Sequence, residues 1–593
     1  MKNMFKTLSN SKLFVAISLT LLLIVYILLF DDFFPNQQNK LGHDYTYFLS
    51  RLLAGYYWFE TNGLFAIPWF TPAFCGSTVF FAHPQDLYFS VPQLLTFFIG
   101  PLKSIWFTFV LFAAIGLIGF YFLLRKVFLC TIWSSLLGGT LFLFNGFYTY
   151  RIIIGHLTFH GFMLLPLIVL FLLWHKKDFT IRQEITFSII AAILFSYIFY
   201  AGGVHLLIPT MLAILSIACI YLMLNKQAKY LLLRLSIFAV LVILLSLTKL
   251  TVGLATLDTL TRDAYPLPGI PNFFDSFWVP IKSLFINVLP WDETKDIFTN
   301  IRWHLDQHEL EFGITFIPLL FLLIGLRYLW ILKGRQWIYL AMVFFILLIP
   351  IGVNFYTPEW NHFLKQIPII KNSSTLVRWY LIYIPVFILI AAIVFDRLQI
   401  NTTIKASNTL ILIVLIIMIN IDKDKTFYQL QNYDPTPIQT AYFKAKQNNK
   451  IPEIRYVAAN VTNLSLRGDD LMTVGVSQIH CYESLFGYRH EFFPQKGKLF
   501  AGLVTDTKDG VFNMKNPACY TFPTENACKA GDHFKLEQKA ALERFTHYLP
   551  YRFNLSSLQK ITNIISLVSW ILVIMLLLFH FIQFILIRYK KTK

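Results

Sequence analysis

Runs of about eighteen or more apolar residues recur along this chain, and no other feature constrains its fold as strongly. As a helix, such a run is long enough to cross a hydrocarbon core about 30 Å thick. Only 14% of the 593 residues are charged, whereas a soluble chain carries about 25%. The sequence therefore predicts a polytopic α-helical membrane protein. About twelve transmembrane helices are predicted, at residues 13–30, 104–124, 131–149, 160–175, 184–201, 203–224, 230–256, 314–332, 337–354, 379–396, 407–421 and 561–587.

The distribution of lysine and arginine sets the predicted topology. Residues 1–30 place lysines before an apolar run, as a secretory signal does, but the run is long and "DDFFPNQ" follows it instead of a small-residue cleavage site. We therefore predict a retained anchor whose N-terminus is cytoplasmic. Alternation from there puts the short basic loops and the C-terminal "RYKKTK" in the cytoplasm, as the positive-inside rule requires. This rule accounts for the net charge of +18 without nucleic acid as a partner.

Four polar regions then face outward, so the chemistry is predicted on the outer side of the membrane. The predicted organisation is a multi-span membrane domain at 1–421 with outer loops at 31–103, 257–313 and 355–378, a small extracytoplasmic α+β domain at 422–560, and a final transmembrane helix with a basic cytoplasmic tail at 561–593. In the fourth region "IRYVAANVTNLSL" is typical of a strand and "EQKAALERFTHYL" of a helix. The short run 87–101 is broken by Pro92 and predicts an interfacial or re-entrant helix.

Two cysteines test this topology. Cys519 and Cys528 lie in a polar segment of the predicted outer domain and are close enough in sequence to close a small loop. Such a disulfide requires an oxidising compartment.

Asp44, in "KLGHDYTYFL", is the candidate catalytic carboxylate, because an ion close to a membrane exit is costly unless it is solvated or paired and often serves a site. The alternative is a loop residue at the water interface. Basic residues form a second signal, because they stand at outer ends of apolar runs against the inside bias. Guanidinium and ammonium groups there predict a rim that binds a lipid phosphate, with scattered interfacial anchors as the alternative; these residues are Arg151, Lys249, Arg262 and Arg378.

Histidines and further acids complete the predicted substrate cavity. His156 and His160 are four residues apart, a spacing that can chelate a metal, but no "HExxH" and no third ligand lie nearby in sequence. We therefore predict hydrogen-bonding histidines at a polar cavity and no metal site. Glu311 is the acid of "HLDQHELEFG" nearest the bilayer. The other predicted cavity residues are His43, Tyr45, His83 and Asp86.

Several stretches resemble the C-type (GT-C) integral-membrane glycosyltransferases, and more narrowly bacterial YfhO-like proteins. They are "GHDYTYF", "PWFTPAFCGSTVFFAHPQDLYF", "YRIIIGHLTFHGFMLLP", "TKLTVGLATLDTLTRDAYP" and "NPACYTFPTENACKAGD". The resemblance implies a polyprenyl-phosphate-linked sugar donor and a first-loop acid that serves as general base or orients the acceptor hydroxyl. That role falls on Asp44, with Asp31 and Asp32 as rivals. The chain lacks the Asp-Glu doublet of protein mannosyltransferases in that loop and the WWD motif of oligosaccharyltransferases.

The predicted function is therefore a hexosyl- or pentosyltransferase of the bacterial inner membrane that modifies a glycan or glycolipid acceptor on the periplasmic or extracellular face. No dissociable cofactor is required, although some relatives bind a divalent cation. The absence of Walker A, Rossmann and GxSxG motifs removes support for nucleotide-driven and esterase chemistry. The alternatives are a flippase or transporter of lipid-linked sugars and a glycan polymerase or ligase.

Overall fold

The computed structural model describes residues 12–35, 40–42, 44–225, 228–257, 266–286, 289–301, 305–429, 431–448, 450–458, 468–479 and 498–592. Within these ranges, nine helices are long and apolar enough to cross a membrane, judged by length and composition. They are Lys12–Phe33, Pro101–Val127, Ile181–Tyr200, Val204–Leu224, Tyr230–Leu257, Arg335–Asn354, Val377–Arg397, Thr402–Asp422 and Ser557–Gln583. A largely helical chain with helices of membrane-spanning length is thus confirmed.

The other three predicted spans are shorter helices, so the count of twelve stays a prediction. They are Ile132–Leu143, Leu157–Leu173 and Ile317–Ile331. The first of them stops early because Asn145 caps a new helix, Gly146–Ile154, by accepting the backbone N–H of Tyr148 over 2.9 Å. Gly155 ends that helix with a φ of +108°, a conformation that glycine adopts without strain.

The ambiguous run at 87–101 forms a helix of nine residues, Val91–Ile99. Ser90 caps its first turn by accepting the backbone N–H of Gln93 over 3.3 Å, and Gly100 ends it. Nine residues span about 14 Å at 1.5 Å per residue, which is too short to cross a bilayer. The length agrees with an interfacial or re-entrant helix.

Further short helices lie between the long ones and after residue 422. They are Tyr45–Asn62, Phe273–Ile281, Trp291–Ile297, Pro358–Gln366, Pro368–Lys371, Thr436–Asn448, Ala518–Thr521 and Lys539–Thr546. In the ranges that the structure describes, the strands are short and form four small sheets. Two are antiparallel pairs, Lys40–Leu41 with Gln431–Asn432 and Phe70–Thr71 with Thr78–Val79. Two have three strands, ordered Val476–Gln478, Tyr456–Ala458, Gly502–Leu503 and His533–Lys535, Val511–Lys515, Thr507–Lys508. A small sheet region towards the C-terminus is therefore present, as predicted.

This sheet region packs directly on the segment 31–103. The Ser50 hydroxyl donates to an oxygen of Asp470 over 2.6 Å, and the Ser77 hydroxyl donates to the carbonyl of Lys515 over 2.5 Å. Both contacts are buried, and one hydrophobic cluster continues from the long helices into the sheet region. The two parts of the chain therefore share a core.

Disulfides add to this packing. Cys519 and Cys528 are bonded, with their Cα atoms 5.7 Å apart. Cys75, in the segment 31–103, is also disulfide-bonded. Cys130 and Cys219 are free and buried.

Candidate functional site

Asp44 is held against a turn that follows another helix. It directly precedes the helix that begins at Tyr45, and its backbone N–H donates to the carbonyl of Ile154 over 3.1 Å. The Tyr45 hydroxyl donates to the Ile152 carbonyl over 2.8 Å. Gly155 permits this approach, because a Cβ there would lie 2.5 Å from the backbone nitrogen of Tyr45. Asp44, only 6% exposed, is thereby fixed beside the residue that follows this glycine.

That residue is His156, and a second histidine joins it. A carboxylate oxygen of Asp44 contacts Nε2 of His156, and the rings of His156 and His308 lie 4.9 Å apart at 80°. His308 comes from a distant 3-10 turn, Gln307–Leu310. All three side chains are buried, and one ligand atom from each lies within 4.8 Å of the others. We call Asp44, His156 and His308 the Asp–His–His triad.

Burial keeps both imidazoles of the triad neutral near pH 7. It lowers the pKa of His156, although Asp44 opposes the shift, and it lowers the pKa of His308 to about 3. Nη1 of Arg151 lies 3.4 Å from Nδ1 of His156. Since arginine only donates, Nδ1 accepts and the neutral ring carries its proton on Nε2, facing Asp44. A cation on Nε2 of His156 would have to displace that proton; two imidazoles and one carboxylate are then a donor set that first-row divalent cations accept.

Next to the triad, one carboxylate joins two arginines. Glu309 accepts from Nη2 of Arg151 over 2.8 Å and from Nε of Arg378 over 2.9 Å, and its second oxygen pairs with Nη2 of Arg378. The ring of Phe159 lies 5.0 Å and 5.4 Å from the two guanidinium carbons. Burial raises the pKa of the Glu309 carboxyl, but the two arginines outweigh it and hold the pKa well below its usual range. Glu309 is therefore an anion at physiological pH.

Arg378 also lines a cavity of 310 Å³. Its polar lining includes Lys249, Arg378, His83, His205 and Gln85, and its apolar lining includes leucines of the helix Tyr230–Leu257. Two cations and an apolar wall in one cavity match the two ends of a lipid phosphate.

Lys249 is anchored at the cavity rather than extended into solvent. Its Nζ donates to the Tyr200 carbonyl over 3.1 Å and lies 3.9 Å from Oδ2 of Asp86. Both charged residues are almost fully buried. Burial raises the pKa of the Asp86 carboxyl, and the charge of Lys249 opposes this shift. Lys249 is among the residues that line the cavity, whereas Asp86, predicted as a cavity residue, is not.

The residues predicted to converge on one cavity occupy two adjoining sites. Lys249 and Arg378 line the cavity, whereas Asp44 belongs to the triad. The two sites meet at Glu309, which pairs with Arg378 and follows the triad residue His308 in sequence. Two predicted residues, His43 and Arg262, lie outside the described residues.

Three other predicted residues are not brought to the cavity. Tyr45 is bonded to the backbone as described above. His160 does not lie one α-helical turn beyond His156, because residues 157–164 form a 3-10 helix with three residues per turn. Nε2 of His160 instead lies 2.6 Å from the Tyr197 hydroxyl. Glu311 is buried in an ion pair with Lys423.

Sequence reasoning missed His308 and Glu309, which contribute to the triad and to the arginine pair. Both lie in "HLDQHELEFG", the stretch in which Glu311 was the predicted residue. A histidine next to an acid in this polar stretch was the available signal. It did not indicate which side chain faces Asp44, because that depends on the 3-10 turn.

Comparisons with known proteins found distant similarity only. No protein-family model and no curated protein matches the sequence. Among solved structures, the Archaeoglobus fulgidus oligosaccharyltransferase in its apo form matches with a TM-score of 0.45 and 13% identity, over 79% of this chain and 65% of that chain. The same protein in complex with zinc and sulfate matches with a TM-score of 0.41 and 12% identity, over 78% of this chain and 62% of that chain. The archaeal oligosaccharyltransferase AglB from that organism, in complex with an inhibitory peptide and a dolichol-phosphate, matches with a TM-score of 0.41 and 12% identity. This match covers 80% of this chain and 65% of that chain. The chain spans slightly less than two thirds of the length of these structures, and similarity at this level carries no argument about the reaction.

Proposed function

We propose that this protein is a membrane glycosyltransferase that moves a hexosyl or pentosyl unit from a polyprenyl-phosphate donor to a glycan or lipid-linked acceptor. We place the reaction on the outer face of a bacterial inner membrane, with both chain termini in the cytoplasm. One observation carries the proposal. A cavity with two buried cations and an apolar wall adjoins a buried cluster of a carboxylate and two histidines.

The donor fits the cavity by its chemistry. The phosphate group would lie between Lys249 and Arg378, and the first isoprene units would lie against the leucines of the helix Tyr230–Leu257. Arg262 is proposed as a further cation for this phosphate. Asn372 also lines the cavity, and among the described residues neither its amide oxygen nor its amide nitrogen has a hydrogen-bond partner. Because buried amides are normally bonded, we assign Asn372 to a sugar hydroxyl.

The reaction would require proton removal on one side of the sugar and charge stabilisation on the other. The acceptor hydroxyl attacks the anomeric carbon, and Asp44 takes its proton as the new C–O bond forms. The bond between the anomeric carbon and the phosphate oxygen breaks, and the phosphate leaves with the electron pair. Lys249 and Arg378 stabilise the negative charge that develops on this oxygen.

A divalent cation is proposed as an additional component. Asp44, His156 and His308 would hold it, since their ligand atoms already lie together and both imidazoles are neutral. When bound, such a cation polarises an acceptor or phosphate oxygen as a Lewis acid. The cation would take the place of the proton on Nε2 of His156, while Nη1 of Arg151 stays 3.4 Å from Nδ1.

The test compares two carboxylates of the same part of the chain. We expect Asp44→Asn to lower transfer from a synthetic polyprenyl-phosphate hexose at least about 100-fold, whereas Asp32→Asn leaves it within about twofold because Asp32 is exposed. Product mass would separate single-sugar transfer from block transfer by a polymerase or ligase. Full transfer by Asp44→Asn would refute the assigned base. Movement of lipid-linked sugar across liposomes without a new glycosidic bond would favour a flippase.

A further inference from the structure

We propose that Glu309 is a positioning residue that couples cation binding at the Asp–His–His triad to anion binding in the cavity. The inference rests on the proposed function for its two ligand classes, a divalent cation and a lipid phosphate. It goes beyond that function because Glu309 belongs to neither ligand set. It acts through its neighbours.

The geometry gives Glu309 a hold on both sites. Its carboxylate binds Arg378, which lines the cavity. On the other side, Nη2 of Arg151 donates to the Glu309 carboxylate over 2.8 Å and lies 3.3 Å from the Glu309 backbone carbonyl. This second contact ties down the 3-10 turn that carries His308. Glu309 therefore helps to orient the side chain of Arg378 at the cavity and to position His308 in the triad.

Charge explains the direction of the coupling. The carboxylates of Asp44 and Glu309 and the guanidinium groups of Arg151 and Arg378 lie together, so two acids are matched by two bases. A divalent cation would make this buried group positive, and a phosphate in the cavity would make it negative. Each ligand therefore offsets the charge that the other brings, so each should bind more tightly when the other is present. Coupling between binding sites is reciprocal by thermodynamic necessity.

Removing the Glu309 charge should change the two affinities in opposite directions. The group would then be positive before any ligand binds, so a cation would bind more weakly. Arg378 would lose its carboxylate partner and become available to an anion, so a phosphate would bind more tightly. Simple structural damage would weaken both ligands together. The sign of the two changes therefore separates positioning from damage.

The experiment measures Mn²⁺ and farnesyl phosphate binding to the purified full-length chain in detergent, each with and without the other. We expect each ligand to tighten the other about tenfold in the natural protein, within the usual range for coupled sites. In Glu309→Gln we expect Mn²⁺ to weaken about tenfold and farnesyl phosphate to tighten. Glu309→Asp keeps the charge and should restore most of the Mn²⁺ affinity.

Glu311→Gln is the matched control. It removes a buried acid two residues away whose ion-pair partner, Lys423, is not part of the cavity, and it should change neither affinity more than about twofold. Proportional weakening of both ligands in Glu309→Gln, no change in either, or no Mn²⁺ binding to the natural protein would each overturn the proposal. If Glu309→Gln does not fold, coupling below about twofold in the natural protein would overturn it. The assay contains no sugar and no acceptor, so its failure is distinguishable from failure of the proposed transfer reaction.

Discussion

A methyl group at Gly155 should move Asp44 away from His156 and so test the whole site. A Cβ on Gly155 would lie 2.5 Å from the Tyr45 nitrogen, whereas ordinary van der Waals contact begins at 3.4 Å. The two backbones must therefore separate by about 0.9 Å, and misplacement of about 1 Å costs about 100-fold in rate. The φ of +108° adds about 1–2 kcal/mol of strain for alanine, and overpacking adds about 1–3 kcal/mol.

The assay pairs thermal unfolding in detergent with transfer from a polyprenyl-phosphate sugar, at equal amounts of folded protein. Gly510→Ala is the control, since Gly510 has a φ of +79° but a methyl group there would meet no atom of the described residues within 4 Å. We expect Gly510→Ala to lose about 1 kcal/mol of stability but to keep its activity. Gly155→Ala should lose both stability and activity. Refutation would be a Gly155→Ala protein that transfers sugar within about fivefold of the natural rate.

Three further outcomes follow from the structure. Cys519→Ser with Cys528→Ser should lower the free energy of unfolding by about 2–3 kcal/mol, because the disulfide closes a short loop; denaturant unfolding measures this, and an unchanged midpoint would contradict it. Because burial raises the pKa of Asp86, the folded state retains a proton that the unfolded state loses above about pH 3.9. The free energy of unfolding should therefore fall as pH rises from about 3.9 to the raised pKa of Asp86 in the folded state, by at most about 1.4 kcal/mol per pH unit. Asp86→Asn should flatten the profile of melting temperature against pH. Lys249→Met should weaken farnesyl phosphate binding at least about tenfold, whereas Lys446→Met, outside the cavity lining, should not; equal affinities in the two variants would remove Lys249 from the phosphate site.

The helices were largely predictable because a bilayer imposes a length and an apolar composition that are visible in any local stretch. Every predicted span overlaps a helix of the structure. The exact lengths were not predictable in the same way. Ile132–Leu143 ends where Asn145 starts a new helix, and this cap lies inside an apolar run that hydropathy treats as continuous.

The site was predictable only where a single residue is unusual in its local sequence. Lys249 and Arg378 stand out as charges at the ends of apolar runs, and both line the cavity. The triad has no such local signal, because its members lie at positions 44, 156 and 308 and meet only through tertiary packing. The spacing of His156 and His160 would bring the two side chains together only in a regular α-helix. Gly155 ends the preceding α-helix and a 3-10 helix follows it, so the two histidines do not share an α-helix.

The contact between Ser50 and Asp470 has a consequence for how the protein is made. These side chains are 420 positions apart, so a ribosome must add more than four hundred residues after Ser50 before its partner exists. The surface that covers the helix after Asp44 is therefore not synthesised until late in translation. Chains released early carry the acid and both arginines in sequence, yet they lack this covering surface. Shortened products of translation should therefore leave this helix uncovered on the side where Asp470 packs.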